Sequence, residues 1–313
     1  MSGPDEFEAI ARLFRPLTRG APEAFGLLDD AAAIPARPGQ DLVITKDAIL
    51  EGVHFPVGEA PDLVARKLLR VNLSDLAAKG AEPYGYFLAV SWPASWDGEA
   101  RAAFARGLDE DGAAFGLTLL GGDTTSTPGP MTASATLLGW VPAGAMVRRG
   151  GAKPGDLVLV SGPIGDGLLG LAAARGEIAD AELAVRYRLP TPRLDLRERL
   201  RAHAGAAADV SDGLIADAGH IGEASGTGIS LRLEAMPLSA GARRWLEAQP
   251  NRAAALIRLA SGGDDYEVVC TAAPDHAHAL GLTVIGEVTE GAGVAVTFEG
   301  RALDAGAGGW RHA

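Results

Sequence analysis

Residues 71–83, VNLSDLAAKGAEP, form a helix end that carries a carboxylate where a core residue is expected. Counting back from Asp75 in helical steps meets Val71, Leu68 and Val64, so Asp75 continues an apolar stripe. A carboxylate on such a face needs a partner. The candidates are Lys79 one turn on, a helix N-terminus or a bound cation.

At 313 residues the chain is long for one ordinary core, which predicts two domains. Hydrophobic residues at 47% and charged residues at 22% are the composition of a globular protein. The net charge of -12 argues against nucleic acid or an anionic membrane as partner, because both would be repelled. Clustered acids can instead hold divalent metals, and the metals can hold phosphates. The single cysteine, Cys270, sits in the apolar strand pattern YEVVCTA and excludes both an internal disulfide and a cysteine zinc site. The N-terminus has acids where a signal peptide has Lys or Arg, and no apolar run reaches the roughly 18 residues of a membrane span. A cytoplasmic location is therefore expected.

In the first half, residues 5–14 read as an amphipathic helix, 41–47 as a strand ending on an acid, and 61–80 as the long helix carrying Asp75. Strands at 84–92, 117–120 and 131–141 follow, with a helix at 98–115 after the second strand. The basic, Gly-rich bridge 147–156, VRRGGAKPGD, has linker composition and suggests domains 1–147 and 148–313. The second half mixes strands at 157–161, 229–234, 266–271, 283–288 and 294–298 with helices. The fold class is α/β of the α+β type, each domain a mixed sheet covered by helices.

Several aspartates follow apolar segments and sit beside small residues: LLDDAAA, LGGDTTS, DVSDGL and SGGDDYE. Glycine lets backbone approach a ligand, and aspartate is short enough to reach a hard cation from a turn. An excess of aspartates over fixed cations points to magnesium shared with nucleotide phosphates. Arg148 and Arg149 could fork onto phosphate oxygens. No GxxxxGK[ST] loop is present, so the chain is not a P-loop enzyme. Gly165, Gly167 and Gly170 spell GxGxxG after a strand, but no second strand ends on an acid about 20 residues later, so helix–strand packing is the expected use of these glycines. Among six histidines, His54 in EGVHF stands beside the acid-ended strand.

Taken in order and spacing, TKDAILEGVHF, VNLSDLAAKGAEP, LGGDTTS, RRGGAKPGD, DVSDGL with IADAGHI, and SGGDDYE resemble the thiamine-monophosphate kinase family, within the aminoimidazole ribonucleotide synthetase superfamily. The resemblance implies an N-terminal ATP- and magnesium-binding domain that pairs into a homodimer, and a C-terminal domain closing over nucleotide and substrate. It implies direct, magnesium-assisted transfer of a phosphoryl group from ATP to thiamine monophosphate. By matching motif, Asp30, Thr45, Asp47, Asp75, Asp123, Asp209 and Asp212 would face several magnesium ions, with Asp75, Asp47 and Asp209 catalytic. Gly122, Asp123, Arg149 and Ser211 would face ATP, and His54, Asp264 and Trp310 the thiamine substrate. Three positions depart from the family pattern: Leu28 before the paired aspartates, Lys46 where Thr is usual, and Asp264 in place of Glu.

Three other readings compete. One is a different ATP-using member of the superfamily, whose glycine-rich or cysteine-bearing terminal segments this chain lacks. Another is a nicotinamide-dependent oxidoreductase built on the GxGxxG turn. The third is a catalytically silent metal-binding dimer.

Overall fold

The computed structural model describes residues 6–304. They divide into two compact units, one holding the chain to Leu76 together with Ala81–Gly144, the other Ala77–Gly80 together with the chain from Ala145.

The first unit runs from α1 (Glu6–Ala9) and further short helical turns to β1 (Gln40–Leu50), α2 (Pro61–Ala78), β2 (Glu82–Pro93), α3 (Gly98–Phe115), β3 (Thr118–Thr127) and β4 (Thr132–Pro142). Helix α3 has the bounds its sequence dictates. The Asp97 carboxylate accepts from the N–H groups of Glu99 and Ala100, and Gly116 at φ 68° ends the helix. The two long helices approach closely because Gly107 has no Cβ to strike the Asp62 carbonyl. Arg70 and Arg66 of α2 then clasp the buried Asp111 carboxylate of α3, with Nε–O distances of 2.6 and 3.1 Å.

Among the described residues of this unit the sheet has the order β1-β4-β2-β3, antiparallel except for β2 with β3. Along β1, Val43, Thr45, Asp47 and Ile49 point to one face, while Ile44, Lys46 and Ala48 point to the other and are exposed. The first face is the inner one. Asn72 of α2 meets Asp47 there, and Phe104 of α3 packs edge-on against Trp92 at 5.3 Å. Two strands outrun the expected ends: β1 continues past Asp47 to Leu50, and β3 past Leu120 to Thr127. Pairing with β4 and β2 extends them, so Asp47 and Asp123 lie inside strands rather than at their tips.

The second unit contains β5 (Leu157–Val160), α4 (Asp166–Ala174), α5 (Ala181–Arg188), α6 (Arg197–His203), β6 (Ala206–Asp209), α7 (Leu214–Ser225), β7 (Gly228–Arg232), α8 (Ala240–Glu247), α9 (Arg252–Ala260), β8 (Val268–Ala272), α10 (Pro274–Leu280), β9 (Thr283–Thr289), β10 (Gly293–Phe298) and β11 (Arg301–Leu303). Its strands, among the described residues, form one mixed sheet in the order β11-β10-β7-β9-β5-β8-β6. Alternate residues feed two separate cores. Val158, Val160, Ala206, Ala208 and Val269 join one, and Leu159, Ala207, Val268 and Cys270 the other, so the sheet's centre is buried on both faces. Strand β6, AAAD, has no strand propensity of its own and is extended because it pairs with β8. Val147, at the edge of the basic bridge, is buried with Leu159, Leu196 and Leu200. No helix among the described residues is long and apolar enough to cross a membrane.

Candidate functional site

Asp75 does continue the stripe of Val64, Leu68 and Val71, which are 1%, 0% and 4% exposed, but it emerges half-buried at the end of that stripe. Its carboxylate partner is Thr45, whose hydroxyl donates to Asp75 Oδ2 at 2.5 Å. Lys79, the sequence candidate, donates to the Ala207 carbonyl at 2.7 Å within the second unit. Sequence reasoning misses Asn72, which is fully buried one helical turn after Leu68. Its Oδ1 accepts from Asp47 N–H at 3.0 Å and its Nδ2 donates to the Leu68 carbonyl at 2.9 Å, so it ties β1 to α2 beside Asp75. The signal that could have found it is an amide inside an apolar helix.

Strand register decides which of the expected residues share a face. Asp47, Ala135, Leu88 and Gly122 form one row across the sheet on the inner face, next to the row of Thr45, Leu137 and Tyr86. Gly122 is required there, because the Leu88 carbonyl occupies the place of a Cβ. Asp123 shares its row with Ala89, Ser134 and Ala48, on the outer face, so within one chain it stands on the other side of the sheet from Thr45 and Asp47. Lys46 also points outward, which keeps its ammonium off the Asp47 face. Asp30 is exposed on the loop after the helical turn Pro22–Leu27, with its N–H bonded to Asp29 Oδ1 at 2.8 Å. His54 Nδ1 accepts from Leu50 N–H at 3.0 Å, which makes Nε2 the donor of the neutral ring.

In the second unit the segment after β6 carries three expected residues together. Asp209, 4% exposed, ends the strand, and Ser211 and Asp212 follow in the turn into α7. Asp217, one turn into that helix, is fully buried, and its Oδ2 accepts from the N–H groups of Ser211, Asp212 and Gly213, each at 3.1 Å. Burial first, and the Asp212 charge second, push the Asp217 carboxyl up to about 7, while Arg149 opposes the rise. Potential ligand atoms of Asp212, Asp217 and His220 lie within 4.8 Å of one another, and Asp217 Oδ1 is buried with no hydrogen-bond partner among the described residues. Sequence reasoning passes over Asp217 and His220. Their signal is the i, i+3 spacing within IADAGHI.

The turn of residues 263–267 lies against this segment. Asp264 N–H donates to the Ser211 carbonyl at 2.9 Å, Tyr266 N–H to the Val210 carbonyl at 2.8 Å, and Val210 N–H to the Glu267 carbonyl at 2.7 Å. Asp264 and Tyr266 hold positive φ, 65° and 52°, and the Tyr266 hydroxyl donates to Asp264 Oδ1 at 2.8 Å. The next carboxylate, Asp265, explains the glycine pattern. It is buried at the start of α4 and accepts from Gly165 N–H at 2.8 and 3.0 Å and Gly167 N–H at 2.9 Å. Gly167 packs on the backbone of Gly263 and Asp264, and Gly170 on Leu183 and Tyr187 of α5. These glycines therefore seat a helix on a turn and a second helix, not on a strand, and the amides that a dinucleotide phosphate would use are taken by the protein's own carboxyl oxygens. Trp310 lies outside the described residues.

Two family models match the chain: AIR synthase related protein, N-terminal domain, over residues 28–141, and AIR synthase related protein, C-terminal domain, over residues 153–299. The thiamine-monophosphate kinase of Caulobacter vibrioides is 58% identical over 320 aligned residues, covering 99% of this chain and 91% of that protein. The chain belongs to the thiamine-monophosphate kinase family. The crystal structure of the Stenotrophomonas maltophilia K279a thiamine-monophosphate kinase matches with a TM-score of 0.82 at 38% identity, covering 94% of this chain and 97% of that one. AaThiL complexed with AMPPCP and TMP matches with a TM-score of 0.79 at 29% identity, covering 92% and 96%.

Proposed function

We propose that this chain transfers the γ-phosphoryl group of ATP to the phosphate of thiamine monophosphate, giving ADP and thiamine diphosphate. The observation that carries the reading is the 58% identity to a thiamine-monophosphate kinase over 99% of the chain. The chemistry of the residues agrees with it. The attacking phosphate oxygen already bears negative charge near neutral pH, so no strong general base is needed. What the reaction needs is alignment of two anions and neutralisation of the group in flight.

Hard oxygen donors suit magnesium. Thr45, Asp47 and Asp75 gather on one face of the first unit, and Asp209 and Asp212 flank the turn into α7 in the second. Asp30, Thr45, Asp47, Asp75, Asp123, Asp209 and Asp212 would hold the ions, which when bound screen the phosphate charges from one another. The Arg149 guanidinium and the Ser211 hydroxyl suit phosphate oxygens of ATP, and Gly122, whose missing Cβ makes way for the Leu88 carbonyl, would meet the nucleotide with exposed backbone. His54 offers an Nε2 donor to the substrate phosphate, and Asp264 a carboxylate to the cationic thiazolium ring.

The outer face of the first sheet supports a homodimer. Ile44 is 60% exposed there, beside exposed Lys46, Ala48 and Ala89, and pairing two such faces would bring Asp123 into the interface. The buried lone cysteine fits a reducing, cytoplasmic setting. The test is chromatographic detection of thiamine diphosphate after incubation with ATP, magnesium and thiamine monophosphate, with a metal-free control. Magnesium-dependent product is expected; absence of product with nucleotide still bound would overturn the reading.

A further inference from the structure

Three consecutive backbone N–H groups converging on one point form a nest that ordinarily receives a ligand anion. At residues 211–213 they receive Asp217 Oδ2 instead, with three bonds of 3.1 Å. Ser211 and Asp212 are only half-buried, so water competes for these amides unless the acceptor is fixed. It is fixed: Asp217 is 0% exposed and belongs to the first turns of α7, a twelve-residue helix. The other side of the segment is tied down as well. The Ser211 carbonyl accepts from Asp264 N–H at 2.9 Å, and Gly213, at φ 116°, leaves no Cβ to strike Ser261. The segment is thus held between a buried carboxylate and a neighbouring turn.

We propose that Asp217 is a positioning residue that sets Ser211 and Asp212 for the nucleotide and its metal by drawing the three preceding amides onto one oxygen. Asp217 acts through the segment and does not itself touch the nucleotide. The proposal rests on the nucleotide-side role given above to Ser211 and Asp212. Loss of such a supporting contact typically weakens metal binding by roughly 10–100-fold.

The experiment measures binding of AMPPCP with magnesium by calorimetry for the parent and for Asp217→Ala, Asp217→Asn, Ser211→Ala and Asp212→Asn. Asp217→Ala removes the acceptor, whereas Asp217→Asn keeps one oxygen that can still accept the three amides. About a tenfold loss of magnesium-dependent nucleotide affinity is expected for Asp217→Ala and a smaller one for Asp217→Asn, with the Michaelis constant for thiamine monophosphate within about twofold of the parent in both. Loss in Ser211→Ala and Asp212→Asn but not in Asp217→Ala would overturn the positioning role alone. No loss in any variant would overturn the nucleotide-side reading and this inference with it. Should Asp217→Ala fail to fold, hydrogen exchange on the unaltered protein decides: protected amides at 211–213 are expected, and exchange at the unprotected rate would overturn the proposal.

Discussion

Replacing Asp265 by alanine removes the acceptor for two buried amides, Gly165 and Gly167, that its carboxylate now satisfies at 2.8–3.0 Å. A buried donor left without a partner costs about 1–3 kcal/mol, so the two together come to roughly 2–6 kcal/mol. Part of that is offset, because burial holds this carboxyl well above its ordinary range and folding already bears the cost of desolvating it. The net destabilisation expected is about 2–4 kcal/mol. Asparagine should cost less, about 1–2 kcal/mol, since its oxygen can still accept at the Oδ1 position while its amide meets Gly165 N–H donor to donor. A chain of two units need not unfold in one step, so native-state hydrogen exchange at the amides of α4 is the appropriate assay. An alanine variant within about 0.5 kcal/mol of the parent, or an asparagine variant less stable than alanine, would refute the argument that this side chain is the internal acceptor of the glycine turn.

Asp75→Asn should reduce turnover by at least about a hundredfold while leaving the far-ultraviolet circular dichroism unchanged, because the side chain keeps its volume and loses its charge; undiminished turnover would remove its assigned role. On the homodimer proposed above, Ile44→Asp on the outer face of the first sheet should lower the sedimentation-equilibrium mass from that of a dimer to that of a monomer; a parent that is already monomeric, or a variant that stays dimeric, would overturn that reading. The Asp217 carboxyl, raised from 3.8 to about 7, keeps a proton in the folded chain that the unfolded chain releases. With chelator present, the Asp217 contribution to stability should therefore fall as pH rises from about 4 to about 7, by on the order of 4 kcal/mol, and the difference in pH slope between parent and Asp217→Asn in denaturant titrations should show it.

Much of the fold is legible from local signals. Asp97 and Gly116 bracket α3, whereas in β1 Asp47 and Thr45 face inward and Ile44 faces outward, so its faces cannot be read from residue type. Strand ends are less legible, because β3 continues through GGDTTST only by pairing with β2, a contact between segments that local preference does not encode. The acids of the site are visible as acids next to small residues, yet their partners are not. Thr45 lies thirty residues from Asp75, and the carboxylate that fills the glycine turn lies a hundred residues from Gly165.

The sequence by itself determined that there are two α+β units, which motifs carry the chemistry and which family they resemble, since those depend on residue type and spacing along the chain. Only the tertiary structure decided that Asp47 and Asp123 stand on opposite faces of one sheet, that Asp217 holds the amides before α7, and that Asp265 occupies the glycine turn. Each of these turns on which strand lies beside which and on which buried donor meets which acceptor. Burial makes such pairings obligatory, but it does not name the partners until the chain has closed on itself.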